Sequence, residues 1–442
     1  MELTVNRTSL PPGPTAPRPL TVGRFMLQPT RFLDACQRRY GDLFTVQLTA
    51  ERTVVITSDP EIVKDVFTGD PEVLRAGEGN IVLRPLLGPR SVLLLDGPEH
   101  LRHRRMMLPP FHGERMNRYG AAMAEAAERQ VERWPVGSPF AAQPSMQAIT
   151  LEVILRAVFG VEDQQERERI AAPLRRMLDA TANRVRLLLL QVTRSEGAGP
   201  RSPWGRFRAL MEPADRVIYE QIHARRADPA AAERDDVLSL LLEARDEDGR
   251  ALTDGELRDE LMTLLLAGHE TTATGLSWTL ERITRHPEVL ERLLEEEHNG
   301  GGDYLDAVIK ETLRLRPVVP AVARCLAEDV ELGGRMFPAG VHITPSIYLL
   351  HRRPDLYPDP ESFRPERFLE RPPGTYEWIP FGGGVRRCLG ASFALFEMRV
   401  VLATILRRAR LAPATASPEQ VTRRAVTLAP SRGGRIKIQS LG

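Results

Sequence analysis

Ten residues near the end of the chain, Phe381-Gly382-Gly383-Gly384-Val385-Arg386-Arg387-Cys388-Leu389-Gly390, constrain it more than any other stretch. Glycine at 382, 383, 384 and 390 lets the backbone take positive φ and pass close to a bulky group where a side chain would clash. The run Ala391 to Arg407 that follows reads as a helix, so Cys388 sits close to a helix start. Unpaired amide N–H groups there, together with Arg386 and Arg387, favour thiolate over thiol. An anionic sulfur presented on a tight loop is a metal ligand or a nucleophile.

A zinc or iron–sulfur centre needs several clustered ligands. The only other cysteines are Cys36 and Cys325, and neither forms a Cys-x-x-Cys pair. Ligation by one cysteine therefore points to an iron porphyrin. A nucleophilic cysteine served by a distant histidine, and a structural thiol after a glycine turn, are the other two readings of the loop alone.

Phe381, Gly384, Arg386, Cys388 and Gly390 fill the positions of the haem-binding signature of the haem-thiolate monooxygenases, and the chain resembles the cytochrome P450 family. Three further segments agree in order: Ala267-Gly268-His269-Glu270-Thr271, Glu311-Thr312-Leu313-Arg314 with Phe363 to Phe368, and His100 with Arg104. The likeness runs from about Leu10 to Ile438. It implies a mainly α fold, a triangular helical prism with a small β-rich region, with haem b between a long central helix and the cysteine loop.

At 442 residues the chain exceeds the roughly 250 to 300 residues that one core usually supports, which alone would suggest two or three domains. The resemblance implies instead a proline-rich arm over 1–20 and one domain over 21–442, β-rich near 43–57 and 317–345. A net charge of +1 excludes a global field for nucleic acid or membrane. Three unpatterned cysteines suit a reducing compartment. Leu187 to Leu190 is the densest leucine run and falls far short of the ~20 residues of a membrane span. A soluble, cytoplasmic, monomeric bacterial-type enzyme without a membrane anchor is expected.

Periodicity places a helix at Pro29–Tyr40, paired strands at Leu43–Leu48 and Thr53–Thr57, and helices at Met116–Trp134, Met146–Phe159, Glu166–Ala180, Pro213–Ala227, Val237–Ala244 and Asp254–Thr284. Between Arg316 and Pro373 glycine and proline thicken, and short strands and turns should replace helix. Ala198 to Pro203 reads as a loop between helices, and by resemblance it belongs to the lid over a substrate channel. The connection His298-Asn299-Gly300-Gly301-Gly302-Asp303 is shorter than the family usually has, which bears on the surface there and on any partner it would meet.

In the long helix, Leu264, Ala267, Gly268, Thr271 and Gly275 share one face. Gly268 costs a helix interior about 1 kcal/mol against Ala, so some group should press on the helix there. The resemblance implies that this group is the haem, with Thr271 as oxygen-side proton donor and Glu270 as solvent-side shuttle. It further assigns His100, Arg104, Arg324 and Arg386 to the haem propionates, and Glu311, Arg314 and Arg367 to a buried ion triad. Leu264, Ala267, Val318, Val319, Ala321 and Val322 match the family's substrate-facing positions, where core packing is the competing explanation.

Electrons are expected from a separate ferredoxin and its NAD(P)H reductase, docking near Arg104, Arg105, Arg386 and Arg387, with O2 as co-substrate. Leu10-Pro11-Pro12-Gly13-Pro14, Tyr40-Gly41-Asp42 and Phe111 to Met116 look like a bacterial branch that oxidises fatty acids and terpenoids. A polyketide or other secondary metabolite is the second substrate class. A peroxide-driven peroxygenase and a haem-binding sensor or carrier are the competing functions.

Overall fold

A computed structural model describes residues 10–49, 52–111, 115–181, 199 and 201–442. Among the described residues helix predominates, beside small β-sheets. The helix Asp254–Arg285, 32 residues long, forms the spine. It starts at a capping box: the Thr253 hydroxyl accepts from the Glu256 N–H, and the Glu256 carboxylate accepts from the Thr253 N–H. Buried on nearly every side, it satisfies its interior hydroxyls by bonding back four residues, as Ser277 does to Ala273 and Thr279 to Gly275.

The helix Gln143–Phe159 packs along this spine, and Gly268 marks the approach. A Cβ at Gly268 would come within 2.9 Å of Ile154 Cδ1. The close approach at Gly268 is thus to the end of a side chain on the neighbouring helix. The close approach at Gly275 belongs to Met398, from the helix Ala391–Arg408.

A five-stranded sheet stands beside the helices in the order Leu43–Gln47, Thr53–Thr57, His342–Pro345, Arg324–Leu326, Leu74–Arg75. Its one parallel pairing sets Val54 opposite His342, joining the early hairpin to the late strands. The expected helix Pro29–Tyr40 and both early strands are present.

Other elements depart from expectation. Arg18–Leu27 is a helix begun by Pro19 at its first turn, where proline's missing N–H costs nothing, so the arm ends earlier than composition suggested. The helix expected to begin at Pro213 begins ten residues earlier and runs through that proline, as Pro203–Ala227, while Gln164–Thr181 holds Pro173 inside it as expected. Strands also fill the chain's end, where Ala409–Pro413, Arg435–Leu441 and Pro139–Ala141 form one sheet and Val421–Arg424 pairs with Thr427–Pro430. The Leu187–Leu190 run and, of the expected lid loop Ala198–Pro203, residues 198 and 200 lie outside the described residues.

Candidate active site

The cysteine loop is shaped by the helix Pro60–Thr68 behind it. Gly382 and Gly384 take φ of 67° and 61°, the left-handed region that favours glycine. A Cβ at Gly384 would stand 1.9 Å from the Phe67 carbonyl oxygen, and one at Gly383 would stand 2.6 Å from the Phe67 ring. A Cβ at Gly390 meets nothing within 4 Å, so beside the cysteine the loop faces open space. The Cys388 N–H closes the turn on the Phe381 carbonyl at 2.9 Å.

Cys388 has exposed surface, yet enough protein surrounds it that burial pushes its thiol above the usual value. It is an exposed sulfur at the floor of a recess. The Gly390 N–H, Arg104 and Arg387 pull the other way, as expected of a helix start and nearby arginines. Burial outweighs them, and a cation bound at the sulfur is what would hold it as thiolate. Among the described residues no histidine bonds this thiol, and no three metal-ligating side chains cluster anywhere.

The central helix has one interruption in its burial. Ala267 is exposed and Gly268, Glu270 and Thr271 are half-buried, although Leu264, Leu265 and the helix from Thr272 to Thr284 are buried. A helix shielded from solvent for most of its length therefore opens a face at its middle. The Thr271 hydroxyl donates to the Ala267 carbonyl, one turn back. Glu270 is held by Gln147, whose Nε2–H donates to Oε2 at 2.7 Å, and by Arg424, 2.8 Å from Oε1. Burial raises the Glu270 carboxyl, and Arg424 opposes that rise.

The helix Gly97–Met107 bridges the central helix and the cysteine loop. On one side buried Glu260 accepts from the Val92 N–H at 2.9 Å and pairs with His103 at 2.7 Å. On the other, Arg386 donates to the carbonyls of Val92 and Leu95 and to Asp96 Oδ1, at 3.1, 2.6 and 2.6 Å. Arg386 is thus largely committed to the loop before this helix, with only its buried Nε unpaired.

His100 and Arg104 lie one turn apart on that helix, near Arg324 and Arg386. The His100 imidazole is buried with Nδ1 unpartnered, and burial together with Arg386, Arg104 and Arg324 lowers its pKa to about 3. Arg324 is buried and gives one hydrogen bond, to the Ala323 carbonyl at 2.9 Å, and burial and Arg386 lower it to about 10. Three arginines, Arg104, Arg324 and Arg386, thus gather around a neutral His100 with one carboxylate, Asp96, beside Arg324 and Arg386, an excess of positive charge that calls for anions.

Behind the loop Arg314 meets Glu311 through two hydrogen bonds, 2.7 and 2.9 Å, and Arg367 reaches the same carboxylate at 3.1 Å. Arg314 also donates to the carbonyls of His351 and Pro360 at 2.7 and 2.8 Å, which ties the helix Asp303–Leu315 to the turns that follow.

A model of the family described as "Cytochrome P450" matches residues 11–438. The chain is 46% identical over 437 residues to the Mycobacterium tuberculosis protein named as cytochrome P450 135B1, covering 98% of this chain and 92% of the relative. The chain belongs to the cytochrome P450 family. A second M. tuberculosis relative, cytochrome P450 138, is 41% identical over 430 residues, covering 97% and 96% of the two chains. Among solved structures, the retinoic acid-bound cyanobacterial CYP120A1 superposes with a TM-score of 0.84 at 26% identity, over 98% of this chain and 99% of that one. The cytochrome P450DA haem domain gives 0.83 at 25%, over 97% of each.

This P450 is accordingly a haem-dependent monooxygenase with the family's mainly α fold. Its residues fit the haem: an exposed sulfur on a glycine loop, open space beside Gly390, a surplus of cations with an orphan His100 nitrogen, and a bared face at Ala267. Among the described residues no single helix is long and apolar enough to cross a membrane.

The six apolar positions divide. Leu264 and Val318 are buried in the main core, and Val322 packs with Val63, Phe67 and Ile347. Ala267, Val319 and Ala321 keep accessible surface. Residues 318–323 form bends and one bridge, Ala321 to Ser346, and the regular strand begins only at Arg324. Sequence reasoning passed over Gln147 and Arg424, the partners of Glu270. Neither lies in a recognisable motif, and only the packing of the end of the chain against the central helix reveals them.

Proposed function

We propose that this P450 hydroxylates a medium or long lipophile bearing a carboxylate, such as a fatty acid or an acidic terpenoid, using electrons from a separate ferredoxin and its NAD(P)H reductase. Bound to Cys388, the haem supplies dioxygen activation and an oxidant able to attack an unactivated C–H bond. The observation that supports the reading is an exposed Cys388 on a glycine loop, in a chain whose buried central helix also bares a face at Ala267 and Thr271.

The chain's own residues have separable tasks. Cys388 ligates the iron. His100, Arg104 and Arg324 offer donors for the propionates, and Arg386 braces the loop while presenting Nε. Thr271 holds a hydroxyl at the bared face, and Glu270 carries protons toward it from solvent. Glu311, Arg314 and Arg367 fix the turns behind the loop. Ala267, Val319 and Ala321 offer apolar surface that rewards burial of a hydrocarbon. The structural neighbour CYP120A1 binds retinoic acid, a lipophilic carboxylate, which supports this substrate class.

Two experiments test the reading. Reduced protein with carbon monoxide should show the red-shifted Soret band of thiolate-ligated haem, and its absence would overturn the ligand assignment. A panel of fatty acids, terpenoid acids and neutral polyketides should then displace iron-bound water, as followed in the Soret region. Response to neutral polyketides alone would replace the substrate class.

A further inference from the structure

The segment before the helix Gly97–Met107 is pinned from two sides at one residue. The Val92 N–H donates to Glu260 Oε1 on the central helix at 2.9 Å, and the Val92 carbonyl accepts from Arg386 Nη1 in the cysteine loop at 3.1 Å. Its neighbours strengthen the first contact: the Ser91 hydroxyl lies 2.7 Å from that of Thr263, and the Arg90 N–H donates to Asp259 at 2.9 Å. One residue thus links the central helix to the loop that carries Cys388.

Glu260 is fully buried, and its Oε2 has no hydrogen-bond partner. Oε1 meets His103 Nδ1 at 2.7 Å, and Nε2 of the same ring lies 3.3 Å from Glu256 Oε1. The ring, itself fully buried, stands between two carboxylates of one helix. An imidazole can donate to both only when it carries the extra proton. A buried carboxylate without a cation is costly, and among the described residues His103 is the one cation bonded to Glu260. The surrounding charges are paired with one another: Arg102 with Asp246 and Glu256, Arg250 with Asp246, and Arg258 with Asp259 and Asp215. On its own helix, His100 and Arg102 oppose the charge on His103.

We propose that His103 is a positioning residue for the haem: sharing one proton with Glu260, it keeps Val92 in place for Arg386, and loss of that proton to solvent loosens this brace of the cysteine loop and lets haem leave. The inference goes beyond the substrate reading and rests only on haem seated at Cys388. Burial works against the charged imidazole, yet Glu260 and Glu256 outweigh it and hold His103 above its usual value. Burial likewise raises the Glu260 carboxyl, to about 7. The folded pair therefore keeps a proton that the unfolded chain releases above about 6.5. Its contribution is complete at pH 6.5 and falls as pH rises through the folded value, on the opposite side from His100.

The test is haem transfer from the loaded protein to excess apomyoglobin, followed in the Soret band from about pH 6 to about 9. The wild-type rate should rise above about pH 7, by at most roughly tenfold per pH unit, the limit for one proton. His103→Gln keeps a donor toward Glu260 but cannot titrate, and its rate should stay flat. A flat wild-type rate, or an equally steep rise in His103→Gln, overturns the proposal. A second readout needs no variant: in the imidazole nitrogen NMR spectrum of the wild type, one of the nine histidines should remain doubly protonated well above pH 6.5, and its absence also overturns the proposal. The carbon monoxide spectrum at neutral pH shows separately whether Cys388 holds haem, so failure there falls on the ligand assignment and not on His103.

Discussion

Arg314 faces Glu311 through two hydrogen bonds, 2.7 and 2.9 Å long, with both side chains fully buried. At three residues apart on an exposed helix such a pair would contribute a few tenths of a kcal/mol. Burial changes its meaning. Removing one member strands the other charge, at a cost of about 3 to 5 kcal/mol. Glu311→Ala should therefore lower the denaturation midpoint sharply and weaken haem retention, because the carboxylate also accepts from the Arg364 N–H at 2.8 Å. A midpoint near the wild type's would show that the cluster does not hold the turns together.

The loop glycines should not be equivalent. Gly382 and Gly384 share the left-handed region, where a Cβ costs on the order of 1 to 3 kcal/mol. Only at Gly384 would that Cβ also strike the Phe67 carbonyl oxygen, at 1.9 Å, whereas at Gly382 it meets nothing within 4 Å. Gly384→Ala should abolish haem uptake, while Gly382→Ala should fold and bind haem with reduced stability. Haem content after purification measures the contrast.

Much of this site was legible because its parts are local in sequence. The glycine loop, the Gly268–Thr271 segment and the Glu311–Arg314 spacing each fall within about ten residues, and residue type alone carries the chemistry. Parts formed by distant segments were not. Arg424 meets Glu270 only when a hairpin from residues 421–430 is set against the central helix, and Ile154 meets Gly268 only through helix packing. The strands from Ala409 onward are short, and Arg435–Leu441 alternates buried and open positions only in its first half, so their pattern is weak until pairing across the chain completes it. At Pro213 a local rule misled, because a helix continued from Ser202's cap straight through a proline.

Thr271→Ala removes the hydroxyl that now bonds the Ala267 carbonyl but no buried charge. The carbon monoxide spectrum should be preserved. Oxygen uptake should continue while product per NAD(P)H falls and peroxide rises, as measured with any substrate found in the binding screen. Unchanged coupling would remove Thr271 from the proton path.

His100 makes the haem-free protein acid-sensitive. Its folded pKa is lowered to about 3, against an ordinary value of about 6.5 in the unfolded chain. Between those values the unfolded chain binds the proton and the folded one does not, so this residue's contribution falls as pH drops from 6.5 toward 3 and is constant above. His100→Gln should flatten that part of the stability curve, as read from urea midpoints across the range. An unaltered slope would show that the buried imidazole titrates normally.

The short connection after His298 poses a problem that Glu296 solves. The helix Asp303–Leu315, which carries Glu311 and Arg314, begins after Gly302 with no side-chain cap from that residue. Its first amides would be left open. Glu296, from the preceding helix, reaches across: its carboxylate accepts from the N–H of Tyr304 at 2.7 Å and of Leu305 at 2.9 Å. Gly300, with φ of 73°, and Gly301 make the reversal tight enough for that reach, and a Cβ at Gly301 would come within 2.7 Å of Glu296 Cγ. A carboxylate at a helix start also meets the favourable end of the helix dipole. Glu296→Ala should thus cost about 0.5 to 2 kcal/mol, the range for losing a helix cap, with the carbon monoxide spectrum unchanged. Glu296→Gln keeps an acceptor and should recover part of the loss. Equal stability of all three proteins would mean that the shortened connection needs no cap.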